Sequence, residues 1–123
     1  MEQDPSYSKH VDLIKKEEFI RLFSTEESPG HWFTERELAN FPFDKYYRSL
    51  AARYLIKKRI TGQLGADSIQ KDIEILDNAL GKPELKLGKN ALQAAKKAGI
   101  KDILCSISHS RNYITGMTVF IFA

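Results

Sequence analysis

A chain of 123 residues with a formal charge of +3 and 42% hydrophobic residues has the material for one core of ordinary size. Its 11% aromatic content argues against a wholly disordered chain, and no apolar run approaches the roughly 18 residues that cross a membrane. Residues 1–10 show no apolar signal stretch, so the expected location is the cytoplasm. Cys105 is the sole cysteine; it cannot form an internal disulfide and, lying in an apolar run, is expected to be a buried structural thiol.

The polar residues 1–9, with Pro5 among them, read as a flexible start, and residues 10–123 as a single domain. Val11–Ile14 fits a short strand. Lys15–Phe23 places Phe19, Ile20, Leu22 and Phe23 among charges and predicts a helix. Glu26–Gly30, with Ser28-Pro29-Gly30, reads as a loop. Thr34 followed by Glu37 three residues on forms a capping box for a short helix ending near Phe41-Pro42. From Asp44 to Leu64 runs the longest periodic segment. Tyr47, Leu50, Ala51 and Tyr54 mark one apolar line and Ile56, Ile60 and Leu64 a second, so this helix is expected to be buried on more than one side, with Gly62 and Gly65 ending it.

Further on, Asp72–Leu76 alternates as a strand, Gly81-Lys82-Pro83 turns the chain, and Glu84–Leu87 reads as a second short strand. Asn90–Ala98 predicts a helix stopped by Gly99. Asp102–Ser108 and Tyr113–Phe122 predict two closing antiparallel strands joined at His109–Asn112. Interleaved helices and strands that end in an antiparallel pair define an α+β class.

Four stretches, in this order, carry a resemblance. His10-Val11-Asp12-Leu13-Ile14, with Phe19 seven residues after the aspartate, is similar to a strand motif G-[IL]-D-[IL]-V with a following aromatic. Phe33-Thr34-Glu35-Arg36-Glu37-Leu38 is similar to F-T-x-x-E-L. Leu50-Ala51-Ala52-Arg53-Tyr54-Leu55-Ile56-Lys57 is similar to L-A-x-R-[FW]-A-A-K, and Gly81-Lys82-Pro83 with Cys105-Ser106-Ile107-Ser108-His109 to G-K-P and V-S-[IL]-S-H. Together they resemble the holo-acyl-carrier-protein synthase family of 4′-phosphopantetheinyl transferases, from about residue 10 to the end of the chain.

The resemblance implies a 4′-phosphopantetheinyl transferase-like fold, with an antiparallel sheet packed against one long buried helix and shorter helices. It implies transfer of 4′-phosphopantetheine from coenzyme A to a serine of an acyl carrier protein: the serine hydroxyl attacks the β-phosphate and 3′,5′-ADP leaves. Mg²⁺, coenzyme A, an acyl carrier protein and a homotrimer with sites at its subunit interfaces come with it. Carried over by position, Asp12, Lys57 and Lys58 fall in the catalytic set, with Asp12 as metal ligand. Arg53, Lys57, Gly65, Gly81, Lys82, Pro83, Ser108 and His109 fall on the coenzyme A site. The family docks its carrier protein on basic residues of the first helix, where Lys15, Lys16 and Arg21 stand here beside Glu17 and Glu18.

Two positions depart from the pattern. Lys58 stands where the family has the second metal-binding glutamate, and Gly62 stands where it has a lysine near the diphosphate, with Lys57, Lys58 and Arg59 as the nearest replacements. An ammonium repels a divalent cation, and Lys45–Ala66 contains no Asp or Glu to take over. Three outcomes stay open. Asp12 pairs with Lys58 where a metal would sit; or metal still binds weakly through Asp12, water and phosphate; or transfer is lost and binding of coenzyme A, carrier protein or a partner enzyme remains. Without the resemblance, Asp12 reads as a strand-end carboxylate, Lys58 as a snorkelling lysine, Arg53 as the partner of an acid and His109 as structural. The basic residues Lys45, Arg48, Arg53, Lys57, Lys58 and Arg59 raise nucleic-acid binding as a remote alternative, with no reader motif beside them.

Overall fold

Alternating side chains dominate both ends of the chain, and in the computed structural model, which describes residues 6–66 and 69–123, those ends pair with each other. Strand β1 (Tyr7–Lys15) runs antiparallel to β5 (Tyr113–Phe122). On its other edge β5 pairs with β4 (Ile100–His109), so the sheet order is β1-β5-β4. The first strand is longer than expected. Residues 7–9, read as part of a flexible start, are in the ladder, with Tyr7 opposite Ile121 and Lys9 opposite Val119. The remainder of that start, residues 1–5, lies outside the described residues.

Period-two alternation gives the sheet two unlike faces. On β5 the residues Ile114, Gly116, Thr118 and Phe120 are buried, and the intervening ones are more open. Helix α4 (Phe43–Leu64) lies across the buried face. Its two apolar lines serve two clusters, as their spacing implies. Leu50, Ala51, Ala52, Tyr54 and Leu55 pack with Ile14, Phe19, Phe23, Phe33 and Ile114. Ile56 and Ile60 pack with Ile73, Ile75, Ala91, Ile103 and Phe120. The helix ends at Gly65, whose φ of 65° is the left-handed conformation that a Cβ disfavours.

Shorter elements close the core. Helix α1 (Lys16–Thr25) seats Phe19 and Phe23. The segment read as a loop contains a one-turn helix, α2 (Pro29–Trp32), started by Pro29 with its preset φ. Helix α3 (Glu35–Asn40) begins with the expected capping box between Thr34 and Glu37. After a 3₁₀ turn at Gln70–Asp72, strands β2 (Ile73–Asp77) and β3 (Pro83–Leu87) form a separate antiparallel pair. Helix α5 (Lys89–Lys97) follows, buries Ala91 and Ala95, and leads into β4. All the sheet pairing is antiparallel, and with one long buried helix this is the α+β architecture read from the sequence.

Gly116 sets the distance between α4 and β5. A Cβ placed there would stand 3.1 Å from the Ala52 carbonyl oxygen, from Leu55 Cβ and from Ile56 Cγ1. A backbone oxygen cannot step aside as a flexible side chain can. Gly116→Val is therefore expected to destabilise the chain by about 1–3 kcal/mol, seen as a lower melting temperature; an unchanged melting temperature would contradict this packing.

Candidate functional site

Leu55, Lys58, Arg59, Gly62 and Gln63 fall at the i, i+3, i+4, i+7, i+8 spacing of one helix face. That face of α4, with Asp12 and Leu13 of β1, lines an open cavity of about 560 Å³. Across it, Arg59 grips Asp12 with both ends of its fork: Nη2 donates to Oδ1 at 2.6 Å and Nε to Oδ2 at 3.0 Å. The side chains of Arg59 and Asp12 remain 39% and 22% exposed, so the pair sits at the rim of solvent. The hydrogen bond to Asp12 pushes the Arg59 pKa up from its ordinary value. Asp12 thus has a cationic partner, but it is Arg59 and not Lys58. Lys58 is exposed, lines the same cavity, and carries its ammonium 5.7 Å from the Tyr54 ring centre. Both residues share the helix face. The planar guanidinium offers two parallel donors to a carboxylate, which an ammonium cannot.

Lys57 points the other way. It is fully buried and forms an ion pair with Glu37 Oε1, itself fully buried. Its ammonium also donates to the Trp32 carbonyl at 2.9 Å. Burial pushes the Lys57 pKa down, and the nearby Glu37 opposes that shift. Glu37 serves both the capping box and β2. Its Oε1 also accepts from Thr34 N, and its Oε2 accepts from Ile75 N at 2.9 Å. Arg53 takes the other polar group of Ile75, donating from Nε to its carbonyl at 2.7 Å. The rest of the Arg53 guanidinium is used on the Ser49 carbonyl, on Asp77 Oδ1 at 2.9 Å and against the Phe41 ring. Burial lowers the Arg53 pKa, with Asp77 opposing.

These placements correct two expectations. Lys57, read as a catalytic and coenzyme A-binding residue, has no surface to offer a phosphate, and Arg53, read as a phosphate ligand, is 2% exposed and committed to Ile75 and Asp77. The reading of Arg53 as the partner of an acid describes it. With Arg53 and Lys57 inside, the basic residues of α4 do not all lie on its surface. Cys105 is only partly buried, packs beside the second apolar cluster, and has its thiol pushed up to about 11 by that burial.

The remaining expected residues lie apart from the cavity. Gly65 caps α4. Gly81 and Lys82 are exposed in the turn before β3, with Pro83 as its first residue, and Ser108 and His109 are exposed at the end of β4. Strand β3 packs beside β4, at the opposite edge of the three-stranded sheet from β1. Within one chain, the expected site is therefore divided between two edges. Arg59, named from the sequence only as a basic neighbour of Lys58, is the residue that engages Asp12.

Comparison with known proteins agrees with this architecture. No family model matches the chain. The chain is 36% identical over 94 residues to the holo-[acyl-carrier-protein] synthase of Alkaliphilus metalliredigens, a match covering 74% of this chain and 70% of that protein. It is 36% identical over 120 residues to the holo-[acyl-carrier-protein] synthase of Geobacter sp. strain M21, covering 92% and 96%. The solved ACPS–CoA complex of Chronobacterium ammoniagenes superposes with a TM-score of 0.77 over 96% of this chain and 98% of that one; at 21% identity this match speaks to the fold. The chain belongs to the holo-[acyl-carrier-protein] synthase family.

Two neighbouring lysines should behave oppositely. Lys57→Met leaves Glu37 buried without its counter-charge and is expected to cost about 3–5 kcal/mol in chemical denaturation. Lys58→Ala should change stability by no more than about 0.5 kcal/mol. Equal losses from the two would contradict the inward placement of Lys57.

Proposed function

We propose that this chain is a coenzyme A-binding member of its family in which magnesium-dependent transfer of 4′-phosphopantetheine has been lost, leaving a role in binding coenzyme A and an acyl carrier protein. The observation that carries this reading is the two-pronged Arg59–Asp12 pair. Asp12 is the carboxylate that the family resemblance assigns to the metal, and both its oxygens are engaged by a cation. The matching second position is Lys58, on the same cavity. Among the described residues no group of three or more His, Cys, Asp or Glu is placed to share a metal ion. Mg²⁺ requires hard oxygen donors in near-octahedral array, and an aspartate held by a guanidinium beside a lysine does not fit it.

Binding of coenzyme A has separate support. The relatives cited above are holo-[acyl-carrier-protein] synthases, and a protein of the same fold has a solved complex with coenzyme A. The cavity is lined by two cations and one carboxylate, which suits an anionic ligand. No helix among the described residues is long and apolar enough to cross a membrane.

The homotrimer is proposed on two grounds. The outer face of the three-stranded sheet is unusually apolar: Tyr7 is 71%, Val11 57%, Leu13 61% and Leu104 50% exposed. A second copy on this face would also bring the β1 edge of one subunit near the β4 edge of the next, joining Asp12, Lys58 and Arg59 to Gly81–Pro83, Ser108 and His109. The acyl carrier protein is then the partner for the start of α1, where Lys15 at the end of β1 stands beside Glu17, Glu18 and Arg21.

Incubating an apo acyl carrier protein with the chain, coenzyme A and MgCl₂ should leave the carrier's mass unchanged while calorimetry records coenzyme A binding. A carrier that gains the mass of phosphopantetheine would overturn the loss of transfer. In sedimentation equilibrium the chain should run at three times its own mass, and Val11→Lys with Leu13→Asp should reduce it to one; a monomeric parent chain would remove the trimer.

A further inference from the structure

The cleft between β1 and α4 departs from a metal site in a particular direction, toward fixed positive charge. We propose that it is a metal-free clamp for the diphosphate of coenzyme A. Arg59 and Lys58 supply the neutralising charge, and Asp12 acts as an internal competitor that holds Arg59 until the diphosphate arrives. This deepens the coenzyme A reading and rests on it.

The charges point that way first. One carboxylate against two cations leaves the cleft with one positive charge in excess. Lys58 has no ion-pair partner among the described residues and is free to meet an anion. Geometry comes second. A guanidinium that holds a carboxylate through two parallel hydrogen bonds holds a phosphate through the same two donors. Moving Arg59 from Asp12 to a diphosphate oxygen therefore exchanges one such pair for another, and the doubly charged ligand wins once Lys58 also engages it. The Arg59–Asp12 pair is at the solvent rim, so the exchange requires no unpacking of the core.

Space is the third observation. Gly62 follows Lys58 by one helical turn on the same wall, and nothing lies within 4 Å of where its Cβ would be. The Gln63 amide stands next to that opening as a neutral donor. Phosphate oxygens can thus approach α4 closely at the level of the two cations.

The clamp reverses the sign that a metal site would show. In a metal site, removing the Asp12 charge abolishes metal-dependent binding. Here it releases Arg59 and removes the carboxylate that lines the cleft. Calorimetry on the full chain tests this, with coenzyme A as the probe and inorganic pyrophosphate as competitor. The affinity for coenzyme A should agree within about twofold in EDTA and in excess MgCl₂. Asp12→Asn should bind coenzyme A and pyrophosphate several-fold to about tenfold more tightly, and Arg59→Gln about tenfold more weakly, each variant melting close to the parent chain. Coenzyme A binding that appears only with MgCl₂, or that Asp12→Asn abolishes in a folded variant, would overturn the clamp and leave the coenzyme A reading standing. Absence of binding under both conditions would overturn both. Should Asp12→Asn fail to fold, the comparison of EDTA with MgCl₂ on the unmodified chain still decides.

Discussion

The buried ion pair of Glu37 with Lys57 is the constraint from which the rest of the molecule follows. An unpaired charge at that depth costs several kcal/mol, so the two groups can be buried only together and with their remaining hydrogen bonds met. They are met by Thr34 N, Ile75 N and the Trp32 carbonyl. Ile75 N–H and C=O both turn away from β3, and they are taken up by Glu37 and Arg53 in place of another strand. Side chains of α3 and α4 thereby close the free edge of β2, which would otherwise present unpaired backbone groups. The same pair fixes the rotation of α4 about its axis. With residue 57 held inward, residues 55, 58, 59 and 62 must face β1, and the cleft is a consequence.

Residues that reproduce the family pattern fall both inside the protein and on its surface, with Gly81, Lys82, Ser108 and His109 among the exposed ones. The Thr34–Glu37 box, Arg53 and Lys57 all match, and all are spent inside the protein on the junction of α3, α4 and β2. Gly116, which no motif singled out, holds the helix against the sheet. The departures, Lys58 and Gly62, sit on the wall of the cleft. The architecture is thus kept, and on the proposed reading the departures alter the charge of the surface offered to coenzyme A. A family resemblance carried in part by buried residues speaks more strongly for fold than for chemistry.

Much of the fold was legible in the sequence because its signals are local. The Thr34 capping box, the left-handed Gly65, the strand alternation of Tyr113–Phe122 and the double apolar line of α4 each depend on a few neighbouring residues. The unexpected one-turn helix at Pro29 and the early start of β1 depend on packing and on pairing with β5, which local pattern does not reveal. The site was less legible for the same reason. Lys57 and Lys58 are adjacent and chemically identical, and only the position of Glu37 across the core separates a structural lysine from a cleft lysine. Arg59 went unassigned as the partner of Asp12 because motif alignment points to position 58, whereas helix phase and a forked donor favour 59.

The claim at the centre of this account is that fixed cations of α4 stand in the place of a divalent ion. A crystal structure of the chain grown with both coenzyme A and magnesium addresses it most directly. The account predicts the diphosphate against the Arg59 guanidinium and the Lys58 ammonium, with Asp12 released and no metal on its oxygens. An ion bound to Asp12 and to the diphosphate, with Arg59 displaced into solvent, would contradict it.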